Sequence, residues 1–135
     1  MDIIEDNNRE MLKKIQSTLD SENKLKNDVG IADIWHTLGN PRYFIAIADN
    51  KPIAVATLHG YDEPELYKLY VIPSHRRKNV AKSLVEHVIN NLSQNGINEL
   101  FVEMTNGSLE FWDSIAMNHE IDLFDGDSKI IFKIQ

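Results

Sequence analysis

From Leu66 to Met104 the spacing of apolar residues changes twice, and this double change limits the fold more than any other feature of the chain. Leu66, Tyr67, Leu69, Tyr70, Val71 and Ile72 form a strand-like run that Pro73 closes. Val80, Leu84, Val88 and Leu92 then recur at helical spacing, with Ala81, Val85 and Ile89 beside them, until Asn95-Gly96 stops the stripe. Leu100, Val102 and Met104 alternate as the next strand. Two strands joined through a helix pair in parallel if they are neighbours in one sheet. The unit from 65 to 104 is therefore the one parallel element the chain requires.

The flanking segments carry simpler patterns. Met11, Leu12, Ile15 and Leu19 predict a helix from roughly Glu5 onward. Ile31, Ile34, Trp35 and Leu38 fall at i, i+3, i+4 and i+7, which predicts a second helix, with Asp28 as N-cap and Gly39 and Pro41 as stops. The pattern leaves open whether Asp2–Ile4 adds a short strand. Tyr43–Ile47 and Ile53–Leu58 read as strands around the turn Asp49-Asn50, and with the run at Leu66 they form an antiparallel meander. Leu109, Phe111, Trp112 and Ile115 predict a short helix. Two last strands, around Ile121–Phe124 and Lys129–Ile134, flank Asp125-Gly126-Asp127. The expected order is ααβββαβαββ, an α/β fold with a mixed, mostly antiparallel sheet flanked by helices, in one domain over residues 1–135.

Composition excludes several classes of function. The chain has no cysteine, so thiolate catalysis, disulfides and cysteine-ligated zinc are ruled out. Fourteen Lys and Arg against 21 Asp and Glu leave a net charge of -7, which disfavours nucleic-acid and anionic-membrane partners. No apolar run approaches the ~18 residues that cross a bilayer. The charged start MDIIEDNNREMLKK has no signal-peptide core, and a cytoplasmic protein is expected.

Against that acidic background stands a basic knot, His75-Arg76-Arg77-Lys78-Asn79, with Lys82 just beyond it. It lies directly before the Val80 helix. A helix N-terminus carries about half a positive charge, so each cation there costs a few tenths of a kcal/mol. A bound anion relieves that conflict, since helix-start N–H groups beside Arg and Lys form an anion receptor. A solvated charge run is the alternative.

The segment LYVIPSHRRKNVAKSLVEHVI, Leu69 to Ile89, resembles the acetyl-CoA-binding core of the GNAT (Gcn5-related N-acetyltransferase) superfamily. That family's motif, R/Q-x-x-G-x-G/A, is read here as Arg76-Arg77-Lys78-Asn79-Val80-Ala81, after a strand ending in Val71-Ile72-Pro73. The resemblance runs from about Tyr43 to Met117. It implies acetyl-CoA as co-substrate, no metal, an amine acceptor and, as is common in the family, a homodimer. It also implies that amides of residues 77 to 82, Lys82 included, hold the pyrophosphate, and that Leu69, Tyr70 and Val71 pair with the pantetheine arm. Asn79 replaces the motif's first glycine; Asn is the non-glycine residue that most readily takes φ > 0, so the turn survives.

Acetyl transfer to an amine needs proton removal from the nucleophile and oxyanion stabilisation, and sometimes an acid for the leaving thiolate. By alternation Glu65, Tyr67, Leu69 and Val71 share one strand face, making Glu65 and Tyr67 the catalytic candidates. Glu65 lies four residues before Leu69, the position of the base in histone-acetyltransferase members. It reads either as that base or as a solvated Glu in the acidic loop Asp62-Glu63-Pro64-Glu65. The family's Phe-Tyr pair, whose Tyr protonates the CoA sulfur, falls on Phe111-Trp112 or, shifted by one, on Trp112-Asp113. Neither register supplies a phenol, and an indole N–H has no useful acidity. Asn106 reads as a contact to the cofactor arm or as a helix cap, and Trp112 as a pocket wall.

His36, His59, His87 and His119 show no metal-ligand spacing, and Asp122, Asp125 and Asp127 fit a hairpin turn better than a calcium loop. Two functions stand: an acetyl-CoA-dependent N-acetyltransferase for a primary amine (small molecule, polyamine or peptide), or a catalytically impaired member that only binds CoA or a protein.

Overall fold

The computed structural model describes residues 1–26, 30–37, 39–105, 108–124, 126 and 128–134. Asp28, Leu38, Asn106, Asp125 and Asp127, each given a role above, lie outside the described residues. The elements are strand β1 (Asp2–Glu5), helix α1 (Arg9–Asn23), strands β2 (Arg42–Ala48), β3 (Lys51–His59) and β4 (Glu65–Val71), helix α2 (Val80–Gln94), strand β5 (Glu99–Glu103), helix α3 (Leu109–Ala116), and strands β6 (Glu120–Phe124) and β7 (Lys129–Lys133). A single 3₁₀ turn, Pro73–His75, joins β4 to the loop before α2.

All seven strands form one sheet in the order β1-β2-β3-β4-β5-β7-β6. Only β4 and β5 run parallel; every other neighbouring pair is antiparallel. The hairpin between β2 and β3 turns on Asp49 and Asn50, both at positive φ (52° and 62°), the geometry that matches strand twist. β3 is an inner strand, and all but its first residue are buried, because helices cover both faces. On one face lie α1 and the segment 30–37: Thr57 Oγ1 donates to Ile34 O at 2.5 Å, and Tyr70 Oη to Glu22 at 2.8 Å. On the other lies α2, where Phe44 meets His87 edge-on and Arg42 bonds Asn91. Leu12, Ile15 and Leu19 from α1, and Leu84, Val85, Val88 and Leu92 from α2, fill the core from the two sides. Among the described residues, no helix is long and apolar enough to cross a membrane.

The fold class is as expected; the element order gains the strand that the pattern left open and loses one expected helix. The optional N-terminal strand exists: β1 pairs antiparallel with β2, and α1 begins later than Glu5, at Arg9, where Asn8 Oδ1 caps Met11 N at 3.1 Å. The helix expected around Ile31–Leu38 is absent from residues 30–37. Side chains there take the backbone bonds a helix would need. Asp33 Oδ1 accepts from the N–H of Trp35 and His36, at 3.1 and 2.6 Å. Gln16 of α1 accepts from Ile34 N and donates to Ala32 O. Local side-chain bonds have outcompeted the helix, and the segment runs as a loop with Ile34 buried and Ile31 and Trp35 half-buried.

Candidate functional site

The site opens where the sheet splits. β4 is seven residues long, yet it pairs with β5 only through Glu65 with Phe101 and Leu66 with Val102. Beyond Leu66 that edge of β4 has left its neighbour, exposing backbone donors and acceptors. The cause lies on the other side of β4: Thr57 pairs with Lys68 but Leu58 pairs with Leu66, so Tyr67 is an extra, bulged residue. A bulge bends a strand and increases its twist. A cavity of about 620 Å³ occupies the split, walled by Leu69, Tyr70 and Val71 of β4, Val102 and Glu103 of β5, Phe111 and Trp112 of α3, and Leu19 and Glu22 of α1.

The bulge also breaks the alternation read from the sequence. Leu69 and Val71 lie in register with Ala56 and Ala54, and Ala56 with Phe44, on the α2 face. Lys68 reaches Asp33 at 3.0 Å and Tyr70 reaches Glu22, both on the α1 face. Glu65 and Tyr67 fall with this second group, because both touch His59, two residues beyond Thr57 on β3. Glu65 and Tyr67 therefore do not share a face with Leu69 and Val71.

At the end of β4 the chain makes its 3₁₀ turn and enters the basic knot. Arg77 and Asn79 both adopt left-handed backbone, φ 61° and 62°, and α2 starts at the next residue. Such a conformation costs a non-glycine residue about 1 kcal/mol or more, less for Asn. The strain turns the chain sharply into the helix, and the Asn79 side chain makes no cap bond to it. The amides opening α2 thus face outward with Arg77 and Lys78 exposed beside them and Lys82 half-buried.

Arg76, the first residue of the motif, behaves differently from its neighbours. Its Nε donates to Val71 O at 2.9 Å, and its two Nη atoms grip Glu22 of α1 at 2.6 and 2.8 Å. The guanidinium also lies 5.5 Å from the centre of the Tyr70 ring. Glu22, whose side chain is only 13% exposed, accepts from Tyr70 Oη as well and pairs with Lys26 at 3.3 Å. Hydrogen bonding from Arg76, reinforced by Tyr70 against the opposing effect of burial, holds the Glu22 carboxyl down to about 2. Burial and the bond to Glu22 push the Tyr70 phenol well above its ordinary value, and its hydroxyl hydrogen is directed at Glu22. Nothing in the sequence marked Glu22, a polar-face residue 54 positions from Arg76.

The acid–base candidates gather at the other end of the split. Glu65 Oε1 lies 3.0 Å from His59 Nε2, and the Tyr67 ring stacks on the imidazole with centroids 4.5 Å apart. Tyr67 borders the large cavity, whereas Glu65 borders an adjoining one of about 290 Å³ that meets the first at Val102 and Glu103. Trp112 is 5% exposed and packs edge-on against Phe111, as a wall of the large cavity; Asp113 is exposed and is not among its lining residues. Thr105 and Ser108 bond one another before α3. Among the described residues no three His, Asp or Glu side chains gather as a metal-holding group.

Comparison with known proteins agrees with this fold. A family model described as the acetyltransferase (GNAT) family matches residues 6–114. Tetrahymena GCN5 superposes with a TM-score of 0.69 at 13% identity, covering 99% of this chain and 95% of that one. An acetyltransferase of the GNAT family from Staphylococcus aureus does so at 0.64 and 17% identity, covering 99% of each chain. The PaiA N-acetyltransferase of Thermoplasma acidophilum, solved in complex with coenzyme A, gives 0.58 at 21% identity over 71% of this chain, which spans 62% of that protein's length. No curated protein matches the sequence. At these identities the structures establish the fold, while the family model extends over most of the 135 residues. The chain belongs to the acetyltransferase (GNAT) family.

Proposed function

We propose that the protein is an acetyl-CoA-dependent N-acetyltransferase that passes the acetyl group directly to a primary amine. The observation that carries this reading is the split between β4 and β5, an open strand edge leading straight to the left-handed turn at the start of α2. An extended arm bearing amides fits the free edge of Leu69, Tyr70 and Val71 as an added strand would. Its diphosphate fits the amides of residues 77 to 82, with Arg77, Lys78 and Lys82 supplying charge. Ala81 and Trp112 line the cavity between these ends. Arg76 has a different part in this reading: its fork is committed to Glu22, so it braces the cavity rather than gripping phosphate.

The chemistry is a single displacement at the thioester. The amine nitrogen attacks the carbonyl carbon, the nitrogen loses a proton to Glu65 directly or through water, and the C–S bond breaks to release the thiolate. Tyr67 is the phenol at the cavity that can return a proton to the sulfur. The indole of Trp112 cannot do so, and a site that relied on a phenol at that position rather than on Tyr67 would fit the second reading, a member that binds CoA without turning it over.

Thermal unfolding with and without acetyl-CoA, followed by thiol release against amines, polyamines, aminoglycosides and peptides, separates the two. Stabilisation by RT ln(1 + [L]/Kd) together with free CoA appearing for at least one amine supports the enzyme. Stabilisation without release by any acceptor supports the binding module, and no stabilisation removes both.

A further inference from the structure

Thr57 and His59 are the polar side chains buried in the core among the described residues. Thr57 has an evident structural task, tying the backbone of Ile34 to the sheet. His59, only 7% exposed, touches both residues assigned above to proton handling. It sits opposite Glu65 in the β3–β4 register, with Nε2 at 3.0 Å from Oε1. Its ring lies against that of the bulged Tyr67 at 4.5 Å, inclined by 29°. The other charged groups bordering Glu65's small cavity are Glu63, Glu103 and Lys129.

We infer that His59 is a positioning residue for the acetyl transfer, an inference that rests on the enzymatic reading. The Nε2–H tautomer donates to Glu65, which fixes the carboxylate's direction and leaves its second oxygen to take the amine proton. Because that bond comes from the imidazole edge while the imidazole face packs on Tyr67, one buried ring sets both groups against each other. A carboxylate at a strand end beside an acidic loop has many rotamers of similar energy; a donor fixed in the core selects one. Without it, binding of acetyl-CoA persists, because the β4 edge and the α2 turn lie beyond Leu66. Only the step that moves the proton suffers.

The test compares steady-state kinetics of the wild type, His59→Phe, His59→Gln, Glu65→Gln and the double variant His59→Phe/Glu65→Gln, using the best amine found by thiol release. His59→Phe keeps a flat ring against Tyr67 and lacks the donor; His59→Gln keeps an N–H donor and lacks the ring. The expected result is a fall in kcat of roughly ten- to hundredfold for His59→Phe, partial recovery in His59→Gln, and an unchanged KM for acetyl-CoA in both. In the Glu65→Gln background His59→Phe adds little further loss, because the residue it positions is already disabled. Wild-type kcat in His59→Phe, or losses that multiply in the double variant, overturn the inference alone. A loss in His59→Phe that tracks a fall in melting temperature and is shared equally by His59→Gln overturns it as well. Absence of release by the wild type with every amine removes the enzymatic reading and this inference with it.

Discussion

Arg76 and Arg77 are adjacent in the chain and opposite in physical character. Arg76, though partly exposed, is bonded through all three of its nitrogens to Glu22 and Val71 and so joins α1 to the end of β4. Arg77 is exposed and sits on strained left-handed backbone, next to a helix end whose partial charge repels it. The first arrangement lowers the free energy of the unliganded fold. The second raises it, which makes sense if something negative arrives to compensate. A basic cluster that looks uniform in sequence thus divides into one residue bonded into the wall of the cavity and others exposed beside the helix start.

The largest effect should come from breaking the bonded half. Glu22→Ala leaves the Arg76 fork and the Tyr70 hydroxyl without their shared acceptor, and we expect a loss of about 2 kcal/mol. The partial exposure of Arg76, 41% for its side chain, keeps the figure below that of a fully buried pair. Urea midpoints give the answer. A change below about 0.5 kcal/mol, the range of ordinary surface substitutions, would erase the distinction between the two arginines.

The same carboxylate should govern part of the acid limb. Its folded-state value of about 2 lies below the ordinary 4.5, so the unfolded chain takes up the proton first as pH falls. Stability contributed by Glu22 is therefore complete above roughly pH 5 and drains away as pH drops through the folded value. Glu22→Gln should flatten the stability–pH curve between pH 5 and 2 by about 1 to 2 kcal/mol. An acid limb parallel to that of the wild type would mean that Arg76 does not hold the carboxylate in solution.

What could be read in advance follows the same division. The strand–helix–strand unit and the basic knot are local patterns, and the structure has β4, α2 and β5 at those positions. Features set by a partner strand or a distant side chain were out of reach. The Tyr67 bulge exists only relative to the Thr57–Leu58 pairing, and a single extra residue reversed the face expected for Glu65. The spacing of Ile31, Ile34 and Trp35 imitates a helix, while Gln16 and Asp33 decide otherwise through hydrogen bonds that no periodicity encodes. Glu22 meeting Arg76 is of the same kind. His59 with Glu65 was closer to legible, since two strands joined by a short loop bring residues six apart into register.

The turn itself offers a smaller probe. Asn79 holds φ 62°, a conformation open to Asn and Gly and closed in practice to β-branched residues. Asn79→Val should cost about 1 to 2 kcal/mol in urea unfolding, whereas Asn79→Gly should stay within about 0.5 kcal/mol of the wild type. Equal stability of the two variants would show that the left-handed turn is not held in solution, and the exposed half of the comparison would lose its strain.

The smallest change in stability is expected where the change in binding is clear. Arg77→Glu removes a cation from a helix start that has no acidic residue in its first turn, and places an anion there instead. The helix end favours that exchange by a few tenths of a kcal/mol, so the unliganded variant should melt at or slightly above the wild-type temperature. Acetyl-CoA should bind it about tenfold more weakly, since an attraction to the diphosphate has become a repulsion. The order of the two melting temperatures should therefore reverse between ligand-free protein and protein saturated for the wild type. A reversal of this kind requires Arg77 to be unfavourable without the ligand and favourable with it. If Arg77→Glu instead lowers the melting temperature of the free protein by as much as Glu22→Ala does, the two arginines share one structural role and the division of the knot fails.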